Sequence, residues 1–162
     1  MNLRKLLTVI LSIVLLVLEV TILTKINIYW LNIKFGLILI ILVSWLSNIR
    51  FGLLHSMIIG ALYDVLTYRG VCFYLVLFLI VSLVVFYFSE KANVKKAYIC
   101  LIITLITTIL VEFITYFISY YSFRTTMTAY ALSGIILPQA LVNVVVCFIL
   151  FFVYRGLCPT KE

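Results

Sequence analysis

Six long apolar runs divide the chain, at about Leu6–Leu23, Ile33–Leu46, Phe51–Leu66, Val71–Phe88, Ala97–Tyr121 and Tyr130–Tyr154. Only short polar or charged interruptions separate them. Crossing the hydrocarbon of a bilayer takes about 20 helical residues. A helix also satisfies its own backbone groups where no water is present. The runs therefore predict six spanning helices. The second and third are short, and short helices are accommodated by local thinning or by burial inside the bundle. Ser47, Asn48, Ile49 and Arg50 separate these two runs and read as a tight turn. With no soluble linker, low-complexity tract or internal repeat, residues 1–162 read as a single transmembrane domain.

Polar positions within the runs carry the next signal. Gly52, Ser56, Gly60 and Asp64 recur every four residues, which places them in one stripe along a helix. Three are small, and small residues at this spacing let a second membrane helix approach closely. The fourth is a carboxylate, and an intramembrane acid is a functional-site hypothesis by default.

Composition moves the whole chain into the membrane class. It is 67% hydrophobic and 10% charged, where a soluble domain carries about 25% charged residues. Mean hydropathy is +1.34. The first residues resemble a secretory signal, with Arg4 and Lys5 before an apolar run. No small-residue cleavage site follows, and Glu19 interrupts the run, so it reads as an uncleaved first helix.

The net charge of +7 sets topology rather than attracting nucleic acid, because the cations sit at helix ends. With six crossings and the N-terminus inside, Arg4, Lys5, Arg50, Lys91, Lys95, Lys96, Arg155 and Lys161 are cytoplasmic. Lys25, Lys34, Arg69 and Arg124 are outside, a bias of eight to four. Merging the two short runs into one crossing would reverse that bias. The expected fold is an all-α bundle of six transmembrane helices with both termini cytoplasmic. Tyr29 and Trp30, with Tyr116, Tyr120, Tyr121, Phe123 and Tyr130, mark the outer boundary as an interface belt or a partner patch.

Three acids lie within the helices, Glu19, Asp64 and Glu112, and this topology places all three in the outer half. Each should face the bundle or a wet cavity rather than lipid. Lys25 could reach Glu19 by snorkelling, and Arg69 and Arg124 could pair with Asp64 or Glu112. The acids could brace helices, form a ligand or partner site, or relay protons. In the last helix Pro138 predicts a kink, with Gly134 giving backbone room, and Asn143 can hydrogen-bond across helices. His55, the single histidine, reads as an interfacial or packing residue. It cannot form a catalytic pair with adjacent Ser56, since neighbours in a helix point apart.

Cys72, Cys100, Cys147 and Cys158 are far apart, and one His leaves no zinc set. No metal or cofactor is expected. Nor are nucleophile, base and oxyanion donors jointly visible, so no enzymatic chemistry is expected.

The stretch Phe51–Gly70, FGLLHSMIIGALYDVLTYRG, resembles the rod shape-determining protein MreD family through Gly52, Gly60, Asp64 and Gly70. Ser56 stands where relatives often carry Gly. Glu19 in LEVTIL, Glu112 in VEFITYF, and Pro138 and Asn143 in LPQALVNVV are similar to that family's other intramembrane polar positions. The resemblance covers nearly the whole chain. It implies a non-catalytic scaffold or regulator of lateral peptidoglycan synthesis in the bacterial cytoplasmic membrane. The implied partners are an MreC-like bitopic protein and, indirectly, MreB, RodA and its transpeptidase. Homo-oligomerisation stays open.

In fold the chain also resembles the substrate-binding subunits of energy-coupling-factor vitamin transporters, which are six-helix proteins with an outward pocket. Those subunits usually carry an A-x-x-x-A patch in the first helix for docking. No alanine occurs here between Leu6 and Leu23, which favours the scaffold expectation.

Overall fold

The computed structural model describes residues 3–23, 33–67, 72–91, 97–123 and 136–157, with the side chains of residues 4, 22, 23, 118–123 and 157 excepted. Among the described residues every regular element is helical: α1 (Leu3–Leu18), α2 (Phe35–Leu46), α3 (Ile49–Thr67), α4 (Phe73–Lys91), α5 (Ala97–Phe123) and α6 (Leu137–Leu157). A π-helical stretch, Glu19–Leu23, continues α1.

The short second helix is the hub of the bundle. Its 12 residues are apolar on every face, and Gly36 through Leu46 are all buried. A helix hydrophobic all round belongs inside a structure rather than on its surface. Each of the other five helices touches it. At about 1.5 Å per residue it is too short to meet both faces of a bilayer, and burial removes that requirement.

The third helix is longer than its apolar run suggests. It has 19 residues and begins at Ile49, so Ile49 and Arg50 belong to helix rather than turn. The connection narrows to Ser47 and Asn48. The Ser47 N–H donates to the Val43 carbonyl and the Gly52 N–H to the Asn48 carbonyl, both at 2.9 Å. The first of these bonds closes α2 and the second opens α3.

Four helices, α3 to α6, are long and apolar enough to cross a membrane. Their outer faces carry exposed Ile80, Leu83, Ile106, Leu110, Val145 and Ile149. A water-soluble surface would not sustain such continuous apolar faces, whereas lipid tails solvate them. Length and composition thus make this a multi-pass membrane protein.

Polar residues inside α5 are satisfied locally. The hydroxyls of Thr104, Thr107, Thr108 and Thr115 each donate to the carbonyl four residues earlier, at 2.7–2.8 Å. Such back-bonding lets a hydroxyl sit in an apolar helix. α5 and α6 run antiparallel: Thr104 meets Cys147 near one end, and Glu112 meets Gln139 near the other.

Candidate functional site

The four-residue stripe on α3 faces the bundle, and it serves two helices rather than one. Gly52, Ser56 and Gly60 are buried. A Cβ at Gly52 would lie 3.3 Å from the Ser44 Cα on α2. At Gly60 it would lie 2.7 Å from the Leu75 Cα on α4, and 3.2 Å from the Leu75 N and the Tyr74 carbonyl oxygen. The small residues therefore let α3 close on α2 below and α4 above, as small-xxx-small packing requires. Between these contacts the Ser56 hydroxyl donates to the Leu53 carbonyl at 2.8 Å. Across the α2–α4 seam, Ser44 and Ser82 hydroxyls pair at 2.8 Å.

Asp64 completes the Gly60 contact. Its Oδ1 accepts the Tyr74 N–H at 2.8 Å and its Oδ2 the Leu75 N–H at 2.9 Å. The first N–H groups of any helix lack intrahelical partners, and α4 has no acid in its own first turn. A carboxylate borrowed from α3 supplies both the acceptors and a charge that suits a helix N-terminus. Gly60 admits the first turn of α4, and Asp64, one turn further along α3, caps it.

Glu19 does the same for α2. It is 3% exposed; its Oε2 accepts the Gly36 N–H and its Oε1 the Tyr63 hydroxyl, both at 2.8 Å. One acid thus ties α1 to the start of α2 and to α3. Asn143 on α6 adds a second brace at the same helix start. Its Oδ1 accepts the Lys34 N–H at 3.1 Å, leaving its own Nδ2 as a buried donor without a partner. Glu112 forms the third link: the Lys34 ammonium lies 3.3 Å from its Oε1, and the Gln139 amide donates to the same oxygen at 2.9 Å. Lys34 and Glu112 keep 15% side-chain exposure each.

The three intramembrane acids therefore gather at one end of the bundle, in contact with all six helices. Their described partners differ from the loop cations expected. Lys25, Arg69 and Arg124 lie outside the described residues, as do Gly70 and Gly134. Lys34 takes the role given to those cations, although its position before α2 had marked it as a topological charge. Tyr63 and Gln139 are further members that sequence reading missed. Tyr63 sits next to Asp64 in a run of apolar residues, and only tertiary packing brings its hydroxyl to Glu19. Pro138 is the second residue of α6, after Leu137, so it sits in the first turn, where a proline is tolerated without a kink, rather than inside the helix as expected. Of the outer aromatic group, the side chain of Tyr116 is described and half-buried, and the others fall outside.

At the opposite end His55 is fully buried, so of its two expected roles it has the packing one. Its Nε2 lies 2.9 Å from the Ser12 hydroxyl, which in turn lies 2.9 Å from the Tyr154 hydroxyl. Ser12 donates to the Thr8 carbonyl at 2.8 Å. With that proton committed, His55 Nε2–H and Tyr154 O–H must both donate to Ser12. This is a serine–histidine contact in which the serine oxygen is a hydrogen-bond acceptor, so the node braces α1, α3 and α6. Among the described residues, no three His, Cys, Asp or Glu side chains are grouped so that they could hold a metal ion.

The fold and its polar ends define an all-helical multi-pass membrane bundle whose acids cap and join helices. Compared with protein-family models, curated proteins and solved structures, the chain gives no significant match.

Proposed function

We propose that the protein is a non-catalytic membrane scaffold of the bacterial cell-elongation machinery, binding an MreC-like bitopic partner. The observation that carries this reading is how the intramembrane acids are spent. Both oxygens of Glu19 and both of Asp64 accept hydrogen bonds from other helices. Glu112 is held by Lys34 and Gln139. Acids committed to helix starts make a rigid platform rather than a reaction centre, which needs a free base and a reachable nucleophile. The motif resemblance supplies the biological setting. In it the acidic end faces outward, both termini are cytoplasmic, and the chain resides in the bacterial inner membrane.

Depletion of the protein in its native bacterium, with complementation, tests the proposal. Loss should turn rods into spheres, and the wild-type gene should restore width. Unchanged shape on depletion rejects the scaffold reading. A vitamin co-purifying at one-to-one stoichiometry would instead favour a transporter subunit.

A further inference from the structure

The cations of the bundle divide by the company they keep. Lys34 is held by Glu112 at the acidic end. Lys5, Arg50, Lys91 and Arg155 lie at the other end, in the first turns of α1 and α3 and the last turns of α4 and α6. Among the described residues none of these four pairs with a carboxylate, and exposed Glu90 is the one acid near them. Two are set on aromatic rings instead. The Lys5 ammonium lies 5.8 Å from the Phe51 ring centroid and the Lys91 ammonium 4.6 Å from that of Tyr87. A ring face holds a cation in place without neutralising its charge.

Register brings two of these charges to one edge. α1 and α3 run parallel, with Ser12 against His55 and Glu19 against Tyr63. Continued toward the start of both helices, that register sets Lys5 beside the first turn of α3, where it covers the residue next to Arg50. Arg50 itself is exposed. Leu54, Met57 and Ile58 follow it at the spacing of one helix face, and all three are exposed. The α1–α3 edge therefore offers two unpaired cations at its rim and an apolar stripe running away from them. An acidic soluble protein would match the charges but leave the stripe uncovered. We propose that this edge binds an anionic phospholipid, with the phosphate between Lys5 and Arg50 and an acyl chain along Leu54, Met57 and Ile58. Arg offers a planar fork for phosphate oxygens and Lys a point charge beside it, and basic sites between membrane helices suit acidic headgroups. The site needs only that the chain is a membrane protein, and stands apart from the scaffold reading.

Native mass spectrometry of the full chain in mild detergent, with phosphatidylglycerol or phosphatidylcholine added, tests the site. One phosphatidylglycerol should be retained at a lower concentration than phosphatidylcholine requires. Lys5→Gln and Arg50→Gln should each weaken its binding about fivefold, as loss of one cation near a headgroup does. Lys5→Arg should bind like wild type. Arg155→Gln removes a charge at the same end but on α6, and should leave binding nearly unchanged. A photoactivatable phosphatidylglycerol, mapped by peptide mass spectrometry on the wild-type chain, should label the first turns of α1 or α3, a readout that does not depend on the variants folding. Equal retention of the two lipids would overturn the proposal, as would label confined to other helices. An Arg155→Gln loss as large as that of Arg50→Gln would show a diffuse charge effect and overturn it too. So would displacement of the lipid by water-soluble glycerol phosphate, which would make free phosphate the ligand.

Discussion

Replacing Gly60 with alanine adds one methyl group, and the structure gives that group nowhere to go. The new Cβ would sit 2.7 Å from the Leu75 Cα. The nearest atoms are backbone, so no side-chain rotation relieves the clash. α3 and α4 must separate, and overpacking of this kind costs about 1–3 kcal/mol. Separation also moves Leu75 and Tyr74 away from Asp64, whose oxygens now hold their N–H groups. Asp64→Ala alone should cost about 1–2 kcal/mol, as loss of a helix cap does. The two losses overlap, because a helix already pushed away has no cap left to lose. The double variant should therefore fall short of the sum of the singles by about 1 kcal/mol, a coupling typical of residues sharing one contact. Reversible unfolding in mixed detergent micelles, read by helical circular dichroism across a denaturant titration, would measure all four corners of the cycle. Strict additivity, or a Gly60→Ala variant as stable as wild type, would refute the claim that both residues act on the first turn of α4.

Glu19→Ala should destabilise by about 3 kcal/mol, since the Gly36 N–H and the Tyr63 hydroxyl lose their acceptor and stay buried. Glu19→Gln keeps one acceptor and should recover a good part of that loss in the same titration. Lys34→Met strands Glu112 with only Gln139 and should cost about 2 kcal/mol. Adding Glu112→Met should recover only part of that loss, because it removes the stranded carboxylate but also the acceptor of the buried Gln139 amide. Gly52→Leu should weaken α2–α3 packing against Ser44 and reduce accumulation in the membrane, read by immunoblot of membrane fractions.

The helix count and the inward face of the α3 stripe were legible because each depends on local periodicity. Six apolar runs give six helices, and a four-residue repeat of small side chains gives a buried face. The burial of α2 was partly legible, since a run without polar faces has no reason to meet water. What periodicity could not reveal was pairing between distant segments. Lys34 looks like an ordinary loop cation, and only the convergence of α2, α5 and α6 turns it into the partner of Glu112. Tyr63 looks like another apolar-run aromatic until α1 brings Glu19 to its hydroxyl. His55 reads equally as an interfacial or a packing residue near the start of its helix, and only the arrival of Ser12 and Tyr154 from α1 and α6 decides for packing. Asp64 was visible as an expensive charge, but its targets are backbone N–H groups, which no sequence pattern can mark.

Co-purification tests the scaffold reading most directly. The tagged chain would be co-expressed with the MreC-like protein of its own genome, solubilised in mild detergent and captured. The account predicts that the bitopic protein elutes in stoichiometric amount with the wild-type chain, and that Gly60→Leu combined with Asp64→Ala reduces it severalfold. Elution of the chain without its partner, or capture indifferent to the double variant at equal accumulation, would contradict it.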